Sequence, residues 1–293
     1  MKGVLIGHYT DEKNNTGATV IIPKNGAVGG VDVRGSAPGT RETDLLKGCK
    51  AVDKVNAICL TGGSAFGLEA CDGVMEYLSE KKIGYNVGTR VVPIVCGAVL
   101  YDLDYSNGCF PKKADGYEAC KNASETYSTG SVGAGKGATV GKVLGMNFSS
   151  KGGVGIFEEK IGNVTIGAIV VANSFGDIID IENNKKIVAG AKMNGEFINT
   201  TKFILSAAAS GNKGGNTTLG CVFTDAKLNR EQANKLAELA QNGLALSISP
   251  VHTMFDGDTV FVLGCGEVDV NFDLLTVAVP EIVRKAVLNS VSN

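Results

Sequence analysis

The chain has 293 residues, with 28 Lys and Arg against 30 Asp and Glu, so its formal net charge is −2. That balance excludes a protein that holds nucleic acid by bulk positive charge, and no uncharged apolar run is long enough to cross a bilayer. Hydrophobic residues make up 44%, enough for a buried core, and at roughly 150 residues per domain the length allows one large unit or two.

Short β-rich runs come first, over residues 4–7, 18–22 and 28–33. A helix is predicted over 42–55 and a buried strand over 57–60. Phe66, Ala70, Cys71, Val74, Met75 and Leu78 share one helical face, with Gly84 beyond its end. Residues 91–103 read as one long apolar strand and 115–127 as a helix. The glycine-rich stretch 130–155 reads as loop and close backbone packing, 164–173 as a strand, and 176–201 as polar turns. Residues 203–209 have the pattern of an ordered stretch, and 210–215 that of a flexible one. A second block follows: strand 218–224, helix 231–246, strand 259–264 and helix 272–288. Asn229 and Gln232 form a capping-box pair before the first of these helices, and Pro280 predicts a kink or a later start in the second. Strands and helices are mixed without a strict alternation, which favours a layered α/β fold.

The N-terminus lacks the apolar segment of a secretory signal, so the cytoplasm is the expected location. The cysteines sit singly within apolar runs and are expected to be buried reduced thiols, without metal or disulfide framework. Several motif look-alikes fail on their chemistry. Gly130-Ser131-Val132-Gly133-Ala134-Gly135-Lys136-Gly137 resembles a phosphate loop, but Gly137 stands where a Ser or Thr must reach magnesium. Gly62-Gly63-Ser64-Ala65-Phe66 has Phe66 where a nucleophile elbow needs glycine. His8 and His252 are the chain's two histidines, too few for a convincing triad or metal site.

The informative junction is Lys213-Gly214-Gly215-Asn216-Thr217-Thr218-Leu219, where a glycine-rich stretch runs into a hydrophobic strand. A Thr at such a junction can attack its own preceding carbonyl and pass through an ester that water hydrolyses. The freed Thr217 would then carry an α-amine able to act as base for its own hydroxyl, since such amines titrate near pH 7.7–8.0. By composition alone the same residues also read as an ordinary turn before a strand.

Over nearly its whole length the sequence resembles the L-aminopeptidase/D-esterase and β-peptidyl aminopeptidase family. The likeness is carried by Gly29-Gly30-Val31-Asp32-Val33-Arg34-Gly35-Ser36-Ala37-Pro38-Gly39-Thr40-Arg41-Glu42-Thr43-Asp44 and Leu60-Thr61-Gly62-Gly63-Ser64-Ala65-Phe66-Gly67-Leu68. It continues through Val132-Gly133-Ala134-Gly135-Lys136-Gly137-Ala138-Thr139, Lys151-Gly152-Gly153, Asn216-Thr217-Thr218, Thr224-Asp225-Ala226 and His252-Thr253-Met254-Phe255-Asp256-Gly257-Asp258-Thr259. The resemblance implies an N-terminal-nucleophile-like α/β fold, a four-layer αββα sandwich with the connectivity of ornithine acetyltransferase. It implies one unit over 1–293, cut between Asn216 and Thr217 into fragments 1–216 and 217–293 that stay together and assemble as a homo-oligomer, usually a tetramer.

The resemblance also implies the site. Thr217 is the nucleophile, Asn173 donates its side-chain N–H to the oxyanion, and Tyr101 assists there. Asp256 and Asp258 stand where relatives carry Ser-x-Glu, the acid that holds the nucleophile's ammonium. The implied substrates are small peptides, amides or esters with a free amino end; no cofactor, metal, nucleic acid or membrane is implied. The departures are Thr for the usual Ser nucleophile and Asp-x-Asp for Ser-x-Glu. An acyltransferase of the ornithine acetyltransferase type and an uncleaved binding or scaffold member remain alternatives.

Overall fold

The apolar runs pair into two main sheets in the computed structural model, which describes residues 2–206 and 215–292. The strands of these sheets are β1 (Val4–Asp11), β2 (Thr16–Pro23), β3 (Ala27–Val33), β4 (Thr40–Arg41), β5 (Lys54–Val55), β6 (Ala57–Thr61), β7 (Val95–Val99), β8 (Gly153–Ile161), β9 (Val164–Ala172), β10 (Leu219–Ala226) and β11 (Thr259–Val268). The first sheet has the order β1-β2-β6-β7-β4 and the second β8-β9-β10-β11-β3-β5. The pairs β6–β7 and β10–β11 are parallel, and their neighbours are antiparallel.

Three apolar layers hold four structural ones. Ile6, Ile21, Ile58 and Leu60 of the first sheet meet Ile169, Leu219, Phe223 and Phe261 of the second in a central core. Helices α1 (Ala70–Glu80) and α2 (Lys113–Lys121) cover the other face of the first sheet through Cys71, Val74, Leu78 and Ala119. Helices α3 (Arg230–Ser247) and α4 (Phe272–Asn289) cover the second sheet through Leu236, Ala240, Leu275, Ile282 and Val283. The result is the expected αββα sandwich. Each buried aliphatic side chain contributes about 1.5–3 kcal/mol, so the interfaces between layers carry the stability. Among the described residues no helix is long and apolar enough to cross a membrane.

Several local expectations hold. The Asn229–Gln232 capping box forms with both bonds, 2.8 and 3.0 Å, and starts α3. The strand expected over 164–173 is β9, and the helix expected over 231–246 is α3. Others are corrected. The helix expected over 42–55 is absent: Glu42 adopts φ +59° and Gly48 φ +54°, and only a short 3-10 turn, Asp44–Leu46, and β5 appear. Leu46 enters the central core from that turn and Val55 from β5 instead. Pro93 divides the long strand expected over 91–103 into Val91–Val92 and β7, because proline cannot donate to a ladder. The helix expected over 115–127 is α2; it starts where Asp115 accepts the Lys112 N–H at 2.7 Å and ends near Asn122 so that Ser124 can pair with Ile6. The glycine-rich loop ends earlier than expected, since β8 begins at Gly153. Part of 176–201 forms strands, Asp177–Asp180 pairing with Lys186–Ala189 and Ile248–Ser249. Helix α4 neither breaks nor starts late at Pro280. A short helix, Thr200–Leu205, meets the ordered stretch expected at 203–209; residues 207–209 and most of the expected flexible segment 210–215 lie outside the described residues.

Candidate active site

The second sheet places Thr217 by register. β10 lies between antiparallel β9 and parallel β11, with Leu219 opposite Val171 on one side and Thr259 on the other. Both ladders continue for two or three residues below the strand ends. On the β9 side, the Thr217 N–H donates to the Asn173 carbonyl at 3.0 Å. On the β11 side, Asn216 pairs with Asp256 as an isolated parallel bridge: the Asn216 N–H donates to the Phe255 carbonyl at 3.0 Å, and the Gly257 N–H donates to the Asn216 carbonyl at 2.8 Å. The peptide between Asn216 and Thr217 is therefore held on both edges. Both residues are almost wholly buried.

That peptide is polarised. The Thr217 hydroxyl donates to the Asn216 carbonyl oxygen, which also accepts from Gly257. Two donors on one carbonyl draw charge toward its oxygen, the change that accompanies attack on its carbon. Glycine at 257 is a steric requirement: a Cβ there would lie 2.7 Å from the Thr217 Oγ1 and 2.6 Å from the Ala37 carbonyl oxygen.

Asn173 follows β9 and is fully buried. Its side-chain oxygen accepts from the Thr139 N–H at 3.0 Å and from Lys142 Nζ at 2.8 Å, while its Nδ2 donates to the Tyr101 carbonyl at 3.0 Å. Lys142 Nζ also donates to the Asn173 backbone carbonyl at 3.2 Å, the same oxygen that takes the Thr217 N–H. The amine and the Thr217 nitrogen thus share an acceptor. Burial lowers the Lys142 pKa to about 7, against the pull of Asp256, Asp102 and Asp104, which favour its charged form.

The two acids flank this centre. Asp258 Oδ1 accepts the Thr218 N–H at 2.6 Å, and its Oδ2 accepts the His252 N–H at 3.2 Å and lies 2.8 Å from His252 Nδ1. Asp256 accepts from Thr253 N and Oγ1 at 2.9 and 2.6 Å and from the Phe175 N–H at 3.3 Å. Burial, then the charge of Asp258, raises the Asp256 pKa above the usual carboxylate range. Tyr101 comes to the site through its backbone carbonyl and its ring, while its hydroxyl donates to Asp104 at 2.9 Å.

All the residues singled out in the sequence therefore meet in one place, but through different bonds from those expected. Asp258 holds the amide after Thr217, and Asp256 ties its loop to the end of β9. Sequence reasoning missed Lys142, Gly257 and the link from His252 to Asp258. The signal for Lys142 was a lone lysine in the apolar run Ala138-Thr139-Val140-Gly141-Lys142-Val143-Leu144, beside a stretch already matched. His8 is elsewhere, bonded to Thr19 Oγ1 and the Ser128 carbonyl.

A Thr at a strand junction, bonded to its own preceding carbonyl, thus stands at the end of the second sheet of an αββα sandwich. The sequence comparison goes further: the chain matches peptidase family S58 over residues 1–293 and belongs to that family. It is 40% identical over 287 residues to an uncharacterized aminopeptidase of Mycobacterium bovis, covering 92% of this chain and 81% of the relative. It is 33% identical to a 6-aminohexanoate-oligomer endohydrolase of Paenarthrobacter ureafaciens over 91% of this chain and 74% of that protein. Its fold is similar to that of the L-aminopeptidase D-Ala-esterase/amidase of Ochrobactrum anthropi, described as a variant of the Ntn hydrolase fold. There the TM-score is 0.72 at 18% identity, over 99% of this chain and 84% of the other.

Proposed function

We propose that the protein is a self-processing aminopeptidase or amidohydrolase in which Thr217 is the nucleophile. The observation that carries this reading is the pair of donors on the Asn216 carbonyl: the Thr217 hydroxyl itself and the Gly257 N–H at 2.8 Å. In the first event, the Thr217 Oγ1 adds to the Asn216 carbonyl carbon and gives up its proton. The Gly257 N–H stabilises the oxyanion. The C–N bond then breaks, and the nitrogen leaves as an amine after taking a proton. Lys142, near neutral pKa and bonded to the carbonyl that also receives this nitrogen, acts here as the carrier: its neutral amine takes the Oγ1 proton and passes it to the leaving nitrogen. Water hydrolyses the resulting ester, leaving the Asn216 carboxylate and a free Thr217.

In the second chemistry, the freed α-amine of Thr217 takes the proton from its own hydroxyl as the latter attacks a substrate carbonyl. The leaving amine or alcohol takes a proton in return, and water resolves the acyl-enzyme. Once residues up to Asn216 withdraw, the Gly257 N–H is free for the substrate oxyanion, and the Asn173 Nδ2, which donates to the Tyr101 carbonyl in this structure, is the second donor the family resemblance implies. Asp258 anchors the Thr218 amide and so fixes the backbone from which the nucleophile projects. Substrates are small peptides, amides or esters with a free amino end; the aminopeptidase name of a relative supports action at an amino end.

Intact mass of freshly purified protein under denaturing conditions tests the reading. Two species are expected, 1–216 and 217–293, with Thr217 as the new N-terminus of the smaller. A single full-length species after long incubation, together with absent hydrolysis, would reject it in favour of an uncleaved member of the family.

A further inference from the structure

The precursor carries its own first substrate, and its path shows what the acyl side of the site admits. Asn216 is seated as one extended residue on Phe255–Gly257, its N–H on the Phe255 carbonyl and its own carbonyl on the Gly257 N–H. A substrate carbonyl must reach the same Oγ1 and the same N–H donor, so its acyl residue takes the place of Asn216. Its α-nitrogen then faces the Phe255 carbonyl, which suits a free ammonium or an amide N–H equally as a donor. Chain preceding the acyl residue must follow Gly215.

At Gly215 there is no room for a side chain. A Cβ there would lie 2.8 Å from both Cβ and Cγ of Tyr101 and 3.1 Å from its Cδ2. These are the root atoms of the ring and not a flexible tip. The residue is tied at tip and backbone, since the Tyr101 hydroxyl donates to Asp104 at 2.9 Å and its main-chain carbonyl accepts the Asn173 Nδ2 at 3.0 Å.

We infer that the Tyr101 ring closes the subsite before the acyl residue to any L side chain. The site then takes acyl donors of a single amino acid, or longer ones in which glycine precedes the acyl residue. Tyr101 is thus a specificity residue that sets how far the enzyme acts from an amino end. This inference rests on the reading of Thr217 as the nucleophile.

The test measures kcat/KM for nitroaniline release from the p-nitroanilides of Asn, Gly-Asn and Ala-Asn, with wild type, Tyr101→Phe and Tyr101→Ala. Wild type should cleave the first two and discriminate against Ala-Asn by about tenfold or more, the scale of forcing a methyl into occupied space. Tyr101→Phe keeps the ring and should keep that ratio. Tyr101→Ala keeps the backbone carbonyl and should lose the discrimination, with circular dichroism confirming that it is folded. Equal turnover of Gly-Asn and Ala-Asn by wild type, or an unchanged ratio in Tyr101→Ala, overturns the inference. If none of the three anilides is hydrolysed by processed enzyme, self-cleavage supplies the readout. Gly215→Ala should then slow cleavage and Gly215→Ala with Tyr101→Ala should restore it; an unslowed Gly215→Ala overturns the gate alone. A wild-type chain that never cleaves removes the Thr217 reading, and this inference with it.

Discussion

Asp102 and Asp258 are both about 1% exposed, and each spans a hydroxyl-bearing, glycine-rich turn at the end of a sheet. Asp102 takes the Gly63 N–H at 2.7 Å and the Thr16 hydroxyl at 2.7 Å. Asp258 takes the Thr218 N–H at 2.6 Å and the His252 N–H at 3.2 Å. Next to Asp102, Ser64 even adopts φ +53°, the strained setting of an exposed nucleophile. The difference lies in where the hydroxyls point. Thr16 spends its proton on a carboxylate, which makes it a clamp. Thr217 donates to its own preceding carbonyl, which a second N–H also polarises. A buried polar cluster becomes reactive when its donors converge on an electrophile; when they converge on an anion it is a structural tie.

Removing the Thr217 hydroxyl, the proposed nucleophile, gives the largest effect by which that contrast can be broken. Thr217→Ala should abolish both self-cleavage and hydrolysis, leaving one full-length species by mass, whereas Thr217→Ser should retain both. An unprocessed Thr217→Ala that still turns over substrate would sink the assignment.

Lys142→Met comes next, with self-cleavage slowed by about 10²–10⁴, the range for loss of a positioned proton carrier. Because the folded pKa of Lys142 is about 7, the wild-type cleavage rate should rise as pH climbs through that value and then level. The variant should lack that rise. Stability provides a second check. Between about 7 and the usual value of 10.5 the folded amine is neutral while the unfolded one still binds its proton. Wild-type stability should therefore increase with pH over that window, and Lys142→Met should not share the increase.

Gly257→Ala should slow cleavage by about 10²–10³, comparable to losing one oxyanion donor, because the added methyl displaces either the Thr217 hydroxyl or the turn that presents the N–H. It should also destabilise the fold by about 1–3 kcal/mol through contact with the Ala37 carbonyl, read from denaturant melts. Normal cleavage in this variant would mean that the Asn216 carbonyl relies on another donor.

Much of this was legible in the sequence, and the reason for the remainder is physical. The strands that became β9, β10 and β11 are apolar runs with clear ends, and α3 announced itself by its capping pair and apolar face. Position at a strand end alone left Thr217 readable as an ordinary turn; Thr217, Asn173, Asp256 and Asp258 could be named because the family resemblance implies them. Their partners could not, since hydrogen bonds across a sheet depend on register, and register between β10 and β11 is set by pairing over some forty intervening residues. The same limit hid Gly257, whose role is an N–H aimed at a carbonyl. The false helix at 42–55 came from apolar residues that serve the inter-sheet core one at a time from a turn-rich chain. Lys142 escaped because its one signal, a lone lysine in an apolar run, says that the residue is buried and nothing of the carbonyls it meets.

Asp102→Asn should have the smallest effect on chemistry and so sharpens the comparison most. Burial pushes the Asp102 pKa up to about 6 from a usual 3.8, so between those values the folded state holds a proton that the unfolded state has released. Wild-type stability should then fall as pH rises through that window, by on the order of 2–3 kcal/mol from this group. Asparagine keeps an acceptor for the Gly63 N–H and an amide that the Thr16 hydroxyl can accept from, but it does not ionise. The difference between wild-type and variant melting curves should therefore open between pH 4 and 6 and favour the variant above it. Self-cleavage should persist in Asp102→Asn. Asp102 is one of the charges that favour protonated Lys142, so the pH midpoint of cleavage should move down when it is removed. A variant that folds normally but no longer cleaves would erase the distinction drawn between the two carboxylates, and would place Asp102 in the machinery that moves the proton.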